Sequence, residues 1–251
     1  MSTTKPTIIL APGSWYPASS MDPLANTLQK ANYKTKTVSW PSVVRGGEVT
    51  SLNEDIAALR ALIEPEVAED RDVVVLAHSW AGIPVSSGLE GLDKTGTASR
   101  GSKGGVVKLL YIAAFLIEQG KTLVETFGGE APWYIKDIPN NTILPNDPIN
   151  LFFHDVPTAQ DWASKLHPVS WSTTIAPATG AAYLNVPCAY LICEEDRALP
   201  VFLQDIMIEK ARGDGADVRT ERVKIGHSPW LVEGGAEVVG DWVRREVGED
   251  I

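Results

Sequence analysis

The sequence predicts an α/β fold with a mostly parallel sheet, and three features indicate it. Short apolar runs alternate with amphipathic helical segments near both ends of the chain, as in βαβ units. One apolar strand passes into a helix within two or three residues around Ser79. A long segment rich in Pro, Asn, Trp and Phe, approximately residues 115–182, interrupts the alternation. We therefore expect a single domain over residues 1–251 in which this inserted segment forms a cap of short helices.

The first half of the chain begins with a strand over Thr7–Ala11 and a helix over Met21–Lys30. Tyr33–Val38 is a more polar strand, which favours a place nearer the sheet edge. Leu52–Glu64 has its apolar residues on one helical face, and Val73–Leu76 is apolar and rich in valine, as buried strands are.

The polar, Gly-rich stretch Lys94–Gly105 predicts a surface loop, since it lacks the spacing of a phosphate-binding loop. Val106–Ala114 is a further buried strand. After the inserted segment the chain alternates strand, helix, strand and helix over Val186–Cys193, Pro200–Ala211, Val218–Ile225 and Leu231–Val247.

Composition and charge argue against several classes of function. The formal net charge of −10 disfavours nucleic acid or an anionic membrane as a partner. The apolar run Ile8–Ala11 is too short for a signal peptide, and no stretch approaches the roughly 18 apolar residues of a membrane span. Cys188 and Cys193 fall on opposite faces of one predicted strand and cannot pair with each other. We expect a cytoplasmic protein, monomeric or homodimeric, that acts on a small molecule.

The turn after Val73–Leu76 resembles a nucleophile elbow. In the sequence AHSWAG, Ala77 and Ala81 stand where the usual Gly-X-Ser-X-Gly pattern has glycines, and both are small enough for a sharp turn. Ser79 Oγ would then stand at the carboxyl edge of the sheet, and the N–H of Trp80 could donate to an oxyanion. The alternative is an ordinary polar serine in a βα turn.

A nucleophilic serine needs a base within hydrogen-bonding reach. Of the four histidines, His227 follows the last predicted strand and would face Ser79 across the carboxyl edge of the sheet. His78 adjoins Ser79, but neighbouring side chains on an elbow point apart, which favours a packing or orienting role. His154 and His167 lie in the inserted segment, where a half-buried polar role is the usual one.

The acid that orients the base should follow the preceding strand. Asp196 is the preferred candidate because it lies four residues before the helix-starting Pro200, and Glu195 is the alternative. The chain order Ser79, Asp196, His227 is that of the α/β-hydrolases.

The loop after the first strand, APGSW, would supply a second oxyanion donor. Gly13 permits close backbone approach, so that the N–H of Ser14 would pair with that of Trp80. Several aromatic residues could line an apolar substrate pocket, with ordinary packing as the alternative for each of them: Trp15, Phe115, Trp133, Tyr134, Phe152, Phe153, Trp171 and Trp230.

These blocks together resemble the α/β-hydrolases, in particular the small esterase group that includes plant methyl-ester esterases and hydroxynitrile lyases. APGSW, LAHSWAG, LLYIAAF, VPCAYLICEEDRALPVFLQDIMI and GHSPW follow in the family's order, although Pro12-Gly13 stands where the family commonly has His-Gly. The resemblance implies a core of about eight strands, a small helical cap and no cofactor or metal. It also implies hydrolysis of a carboxylic ester, lactone or thioester of a small apolar or aromatic molecule through an acyl-enzyme on Ser79.

Two other functions remain open on the same scaffold. One is lyase, retro-aldol or cyclase chemistry, although the lyases carry a lysine directly after the catalytic histidine and this chain has Ser228 there. The other is non-catalytic ligand binding, which often goes with loss of a triad residue, whereas Ser79, Asp196 and His227 are all present. A dinucleotide-dependent oxidoreductase is disfavoured because APGSWY is not a Gly-X-Gly-X-X-Gly turn.

Overall fold

The computed structural model describes residues 5–251, and its strands form two separate sheets. The strands in chain order are β1 Thr7–Ala11, β2 Thr35–Thr37, β3 Asp72–His78, β4 Gly105–Ile112, β5 Tyr134–Asp137, β6 Thr142–Pro145, β7 Val169–Ser170, β8 Cys188–Cys193 and β9 Val218–Val223. The main sheet has the order β2-β1-β3-β4-β8-β9, and all of its strand pairs are parallel.

Helices occupy most of the connections between the strands. The α-helices in chain order are α1 Asp22–Lys30, α2 Pro41–Val44, α3 Asn53–Ala68, α4 Gly82–Gly88, α5 Lys94–Ala98, α6 Leu123–Thr126, α7 Pro148–Phe152, α8 Ala159–Ala163, α9 Trp171–Thr174, α10 Val201–Gly213 and α11 Gly235–Glu246. Within residues 5–251, every helix is too short or too polar to span a lipid bilayer.

The apolar runs of the sequence form the middle of the main sheet. Residues 73–77 of β3 are at most 1% exposed, as expected for a parallel strand that is covered on both faces. The strands also end together, with Ala11 of β1 beside Ala77 and His78 beside Ile112 of β4. The residues that follow β1, β3 and β4 therefore meet at one edge.

The chain reverses its direction of winding at β1. This strand pairs with β2 on one side and with β3 on the other, so that the connection after β1 leads to one side of the sheet and the connection after β3 leads to the other. Such a switch point is where open α/β sheets bind their ligands.

The structure differs from the sequence expectation in three elements. The main sheet has six strands rather than about eight, because β5, β6 and β7 pair with one another in a separate antiparallel sheet. The inserted segment is therefore not purely helical: it combines this sheet with helices α6 to α9. The expected loop over Lys94–Gly105 begins with α5, whose first amides, Thr95 and Gly96, donate to the Asp93 carboxylate.

Candidate active site

Ser79 lies in a sharp turn between β3 and α4. Strand β3 ends at His78, a 3₁₀ turn over Ser79–Ala81 follows directly, and α4 begins at Gly82. The φ angle of Ser79 is +54°, in the left-handed region that non-glycine residues rarely adopt. Strain of this kind is retained where the surrounding structure fixes it, and it matches the nucleophile elbow.

Two glycines allow this turn to pack closely. A Cβ on Gly82 would lie 2.1 Å from the carbonyl oxygen of Phe115, and one on Gly13 would lie 2.9 Å from both His78 Nδ1 and Ser79 Cβ. Alanine is tolerated at 77 and 81, where the usual pattern has glycine, and both alanines are fully buried. On the helix side of the turn, the position that admits no side chain is therefore Gly82, directly after the elbow motif.

His227 and Asp196 form a buried hydrogen-bonded pair. His227 Nδ1 lies 2.7 Å from Asp196 Oδ2, and the two residues are only 2% and 7% exposed. The other carboxylate oxygen, Oδ1, accepts the N–H groups of Ala198 and Leu199 at 2.8 Å each. Glu195, the alternative acid, is exposed, so the structure brings Asp196 and not Glu195 to the histidine.

Ser79 and His227 line the same cavity. Among residues 5–251 no hydrogen bond joins the Ser79 hydroxyl to the His227 ring. Catalytic hydrogen bonds are often long in the absence of substrate and tighten when it binds.

Ser14 and Trp80 also line this cavity. The N–H of Trp80 lies at the start of the 3₁₀ turn, where amides have no partner within the helix. The N–H of Ser14, which is 2% exposed, has no acceptor among residues 5–251. Both amides are therefore available to a bound oxygen.

The cavity is narrow, with a volume of about 20 Å³, and is lined mainly by aromatic and aliphatic side chains. Five of the eight aromatic residues singled out in the sequence line it: Trp15, Phe115, Trp133, Tyr134 and Phe152. Trp171 does not line it, and its ring lies 6.1 Å from that of Tyr134. Trp15 stacks on Phe152 with ring centroids 5.5 Å apart and meets the edge of Trp133 at 5.8 Å.

Phe153 and Trp230 do not line the cavity. Helix α7 ends at Phe152, so that successive residues point in different directions: Phe152 faces the cavity, and Phe153 is fully buried against Tyr16. Trp230 donates its Nε1–H to Ser20 O at 2.7 Å and packs its ring on His78. Both expectations are corrected here, because both residues are part of the core behind the site.

Several residues that line the cavity belong to no motif that the sequence analysis identified. They are Leu123, Phe127, Thr174, Ala198 and Leu199. One signal was available for the first two: Thr122 and Glu125 form a capping box that starts α6, and it places Leu123 and Phe127 one turn apart. Ala198 and Leu199 line the cavity because their amides are held by Asp196.

Further contacts hold the loop of residues 224–228, which carries His227. The carboxylate of Asp155 accepts the Gly226 N–H at 2.6 Å, and Ser228 Oγ lies 2.8 Å from the hydroxyl of Tyr16. His78 Nε2 lies 3.0 Å from the carbonyl oxygen of His227. Burial lowers the pKa of His78 well below its usual value, which leaves the ring neutral. Residues 5–251 contain no group of three or more His, Cys, Asp or Glu side chains placed to hold a metal ion.

Comparison with known proteins identifies the family. The profile of the alpha/beta hydrolase family matches residues 8–241. The chain belongs to this family. It is 30% identical to the alpha/beta hydrolase nvfD of Aspergillus novofumigatus, over 98% of both chains. It is 25% identical to the probable hydrolase R7 of a Phoma species, over 98% of this chain and 99% of the other.

Solved structures of other proteins share the fold. A pyrethroid hydrolase from Sphingobium faniae JZ-2 superposes with a TM-score of 0.75 at 17% identity, over 97% of this chain and 98% of that one. Polyneuridine aldehyde esterase gives 0.74 at 17% identity, over 96% and 99% of the two chains. The Arabidopsis methylesterase MES16 gives 0.68 at 16% identity, over 96% and 98%. The resemblance to the α/β-hydrolases and their plant esterase members is thus confirmed, and the protein is a hydrolase.

Proposed function

We propose that the protein is a serine hydrolase that cleaves a carboxylic ester, lactone or thioester through an acyl-enzyme on Ser79. One observation carries the proposal: a strained serine, a histidine bonded to a buried carboxylate and the amides of Ser14 and Trp80 converge on one cavity. This is the set of groups that acyl transfer requires.

In the first half-reaction His227 is the general base. Its Nδ1–H donates to Asp196, which fixes the ring tautomer and leaves the Nε2 lone pair to take the Ser79 proton. Ser79 Oγ then attacks the carbonyl carbon, and the negative oxygen of the tetrahedral intermediate accepts the N–H groups of Ser14 and Trp80. Each such donor lowers the barrier by about 3 kcal/mol.

Collapse of the intermediate breaks the bond to the leaving group and forms the acyl-enzyme. His227, now protonated, gives its proton to the departing alcohol or thiol. In the second half-reaction His227 deprotonates water, which attacks the acyl carbon, and the proton returns to Ser79 as the acid is released.

The lining favours a neutral, apolar or aromatic substrate. Its side chains are mostly aromatic or aliphatic, and beside Ser79 and His227 the polar ones, Ser14, Tyr134 and Thr174, carry no charge. A charged substituent would lose its hydration in this cavity without gaining a partner.

We further propose that the whole chain is one domain in which residues 115–182 act as a cap. Leu123, Trp133, Phe152 and Thr174 of this segment line the same cavity as Ser79, which supports the proposal. The cap would then set which acyl and alcohol groups fit.

Replacement of the nucleophile tests the proposed function. Ser79→Ala should lower kcat/KM for p-nitrophenyl butyrate by at least about 10⁴-fold, because the covalent route is lost. Ser86→Ala is the matched control: it removes another buried serine hydroxyl, bonded to Tyr111 and outside the cavity, and should retain activity. Circular dichroism and thermal unfolding should report the same fold in all three proteins. Wild-type protein that turns over no ester in a series of neutral acyl groups would contradict the proposal and favour a lyase or a ligand-binding role.

A further inference from the structure

His78 connects the two loops that flank Ser79. Its Nδ1 lies 3.2 Å from the backbone N of Gly13, in the loop of residues 12–15 that carries Ser14. Its Nε2 lies 3.0 Å from the carbonyl oxygen of His227, in the 224–228 loop. One imidazole therefore spans the distance between a proposed oxyanion donor and the proposed base.

The partners of the ring determine its tautomer. A backbone N–H can only donate, so the Nδ1 that faces Gly13 must be the unprotonated nitrogen. A carbonyl oxygen can only accept, so the Nε2 that faces His227 must carry the proton. Neutral His78 with its proton on Nε2 satisfies both partners. A doubly protonated ring would instead point its Nδ1–H at the Gly13 N–H, and two donors would face each other.

Packing leaves the ring no second position. His78 is fully buried, and the edges of Tyr16 and Trp230 meet it at centroid distances of 5.2 and 4.6 Å. The absence of a side chain at Gly13 is also required, since a Cβ there would lie 2.9 Å from Nδ1.

We infer that His78 is a positioning residue that holds the Ser14 amide and the His227 ring in fixed relation to Ser79. This inference rests on the proposed function. Because His78 adjoins Ser79 in the chain, this one buried ring fixes the positions of the proposed oxyanion donor Ser14 and the proposed base His227 relative to the nucleophile. Displacement of either loop by about 1 Å would cost on the order of 100-fold in rate without altering substrate binding.

Three substitutions test the bond to Gly13 and the bond to His227 individually. His78→Asn places an amide oxygen near the Nδ1 position and can still accept from Gly13. His78→Gln places an amide NH₂ near the Nε2 position and can still donate to His227 O. His78→Phe retains a ring of similar size and makes neither bond.

The kinetic readout is kcat for p-nitrophenyl butyrate, divided by the concentration of sites that a fluorophosphonate titrates. We expect His78→Phe to lose about 100-fold in this quantity with KM nearly unchanged, and the Asn and Gln variants to lie between it and wild type. A residue that only stabilised the fold would lower the thermal midpoint but leave kcat per titrated site unchanged. The inference is overturned if the Phe variant remains within about threefold of wild type. If the Phe variant does not fold, wild-type kcat per site in both amide variants overturns it.

The tautomer can be tested without any substrate. In protein labelled with ¹⁵N-histidine, the ring signals that disappear in His78→Asn belong to His78. We expect them to show a protonated Nε2 and an unprotonated Nδ1 at neutral pH, and a protonated Nδ1 would overturn the bridge. This measurement separates the two failures: an inactive wild-type protein with the Nε2–H tautomer would refute the esterase activity and leave the bridge intact.

Discussion

At the scale of single residues, the orientation of the His227 ring depends on one carboxylate. Asp196 uses one oxygen for His227 and the other for the amides of Ala198 and Leu199, so its plane is fixed from both sides. Glu195, its neighbour, is exposed. Hydrogen bonds to an ionised carboxylate are among the strong ones, and burial leaves water little access to compete.

Substitution of Asp196 should therefore affect catalysis far more than folding. Asp196→Asn retains an oxygen for Ala198 and Leu199 but presents the wrong partner to His227, so kcat for p-nitrophenyl butyrate should fall by about 10³- to 10⁴-fold. Glu195→Gln, the matched control, should retain wild-type kcat. Loss of activity in Glu195→Gln, or retention of activity in Asp196→Asn, would show that Asp196 is not the acid that orients His227.

The sequence predicts Ser79, Asp196 and His227 as candidate catalytic residues because each follows a recognisable strand and their chain order is that of a known family. It left Glu195 open, because which of two adjacent acids points inward depends on the turn after β8. It named both Phe152 and Phe153, of which only Phe152 faces the cavity. At the end of a five-residue helix, a shift of one position reverses inside and outside, and no pattern in the sequence fixes it.

At the scale of elements, the inserted segment contacts the loops that carry the candidate catalytic groups. Trp15 Nε1 donates to Ile143 O of β6 at 3.0 Å, and the His167 N–H donates to Trp15 O at 2.9 Å. Asp155, which follows α7, accepts the N–H of Gly226 at 2.6 Å. The segment is therefore coupled to the 12–15 loop and to the 224–228 loop.

Asp155 gives a test of this coupling. Asp155→Ala removes the acceptor of the Gly226 N–H next to His227, and we expect kcat for p-nitrophenyl butyrate to fall by about 10-fold or more. Asp155→Asn retains an acceptor oxygen and should recover most of the loss. Thermal unfolding measured in parallel separates loss of fold from loss of position. If the Asn variant is as impaired as the Ala variant, the charge of Asp155 matters rather than its hydrogen bond.

The small antiparallel sheet was not predicted from the sequence, because its strands are short and are stabilised by partners distant in the chain. Strand β7 has two residues, and Ser170 Oγ there donates to Val49 O at 2.6 Å. Asn141, in the turn between β5 and β6, donates from Nδ2 to Gly47 O at 3.0 Å. Contacts across 90 or more residues leave no local pattern. The main sheet was predictable because long apolar runs alternate with helices.

At the scale of the whole molecule, buried titratable groups link stability to pH. The pKa of His78 lies well below its unfolded value near 6.5, chiefly because burial disfavours the charged ring. Below pH 6.5 the His78 side chain therefore binds more protons in the unfolded state than in the folded state. Its contribution lowers the free energy of unfolding as the pH decreases. Burial raises the pKa of Asp55 to about 6, which has the opposite effect below that pH, because the folded state retains the proton more tightly.

His78→Asn should reduce this acid sensitivity. Between pH 6.5 and 5, the free energy of unfolding of wild type should fall more steeply than that of the variant, by a difference that approaches about 1.4 kcal/mol per pH unit. Chemical denaturation across this range measures it. Asp55 is present in both proteins, so its own titration largely cancels. Equal slopes in wild type and His78→Asn would contradict a buried neutral ring.

A covalent intermediate on Ser79 can be tested by labelling of the active serine. Wild-type protein is treated with a fluorophosphonate, digested and mapped by peptide mass spectrometry. We expect one modified residue, Ser79, with no label in Ser79→Ala and slower labelling in His227→Ala, because the base activates the hydroxyl. Wild-type protein that takes no label, or that takes it on another serine, would contradict the account.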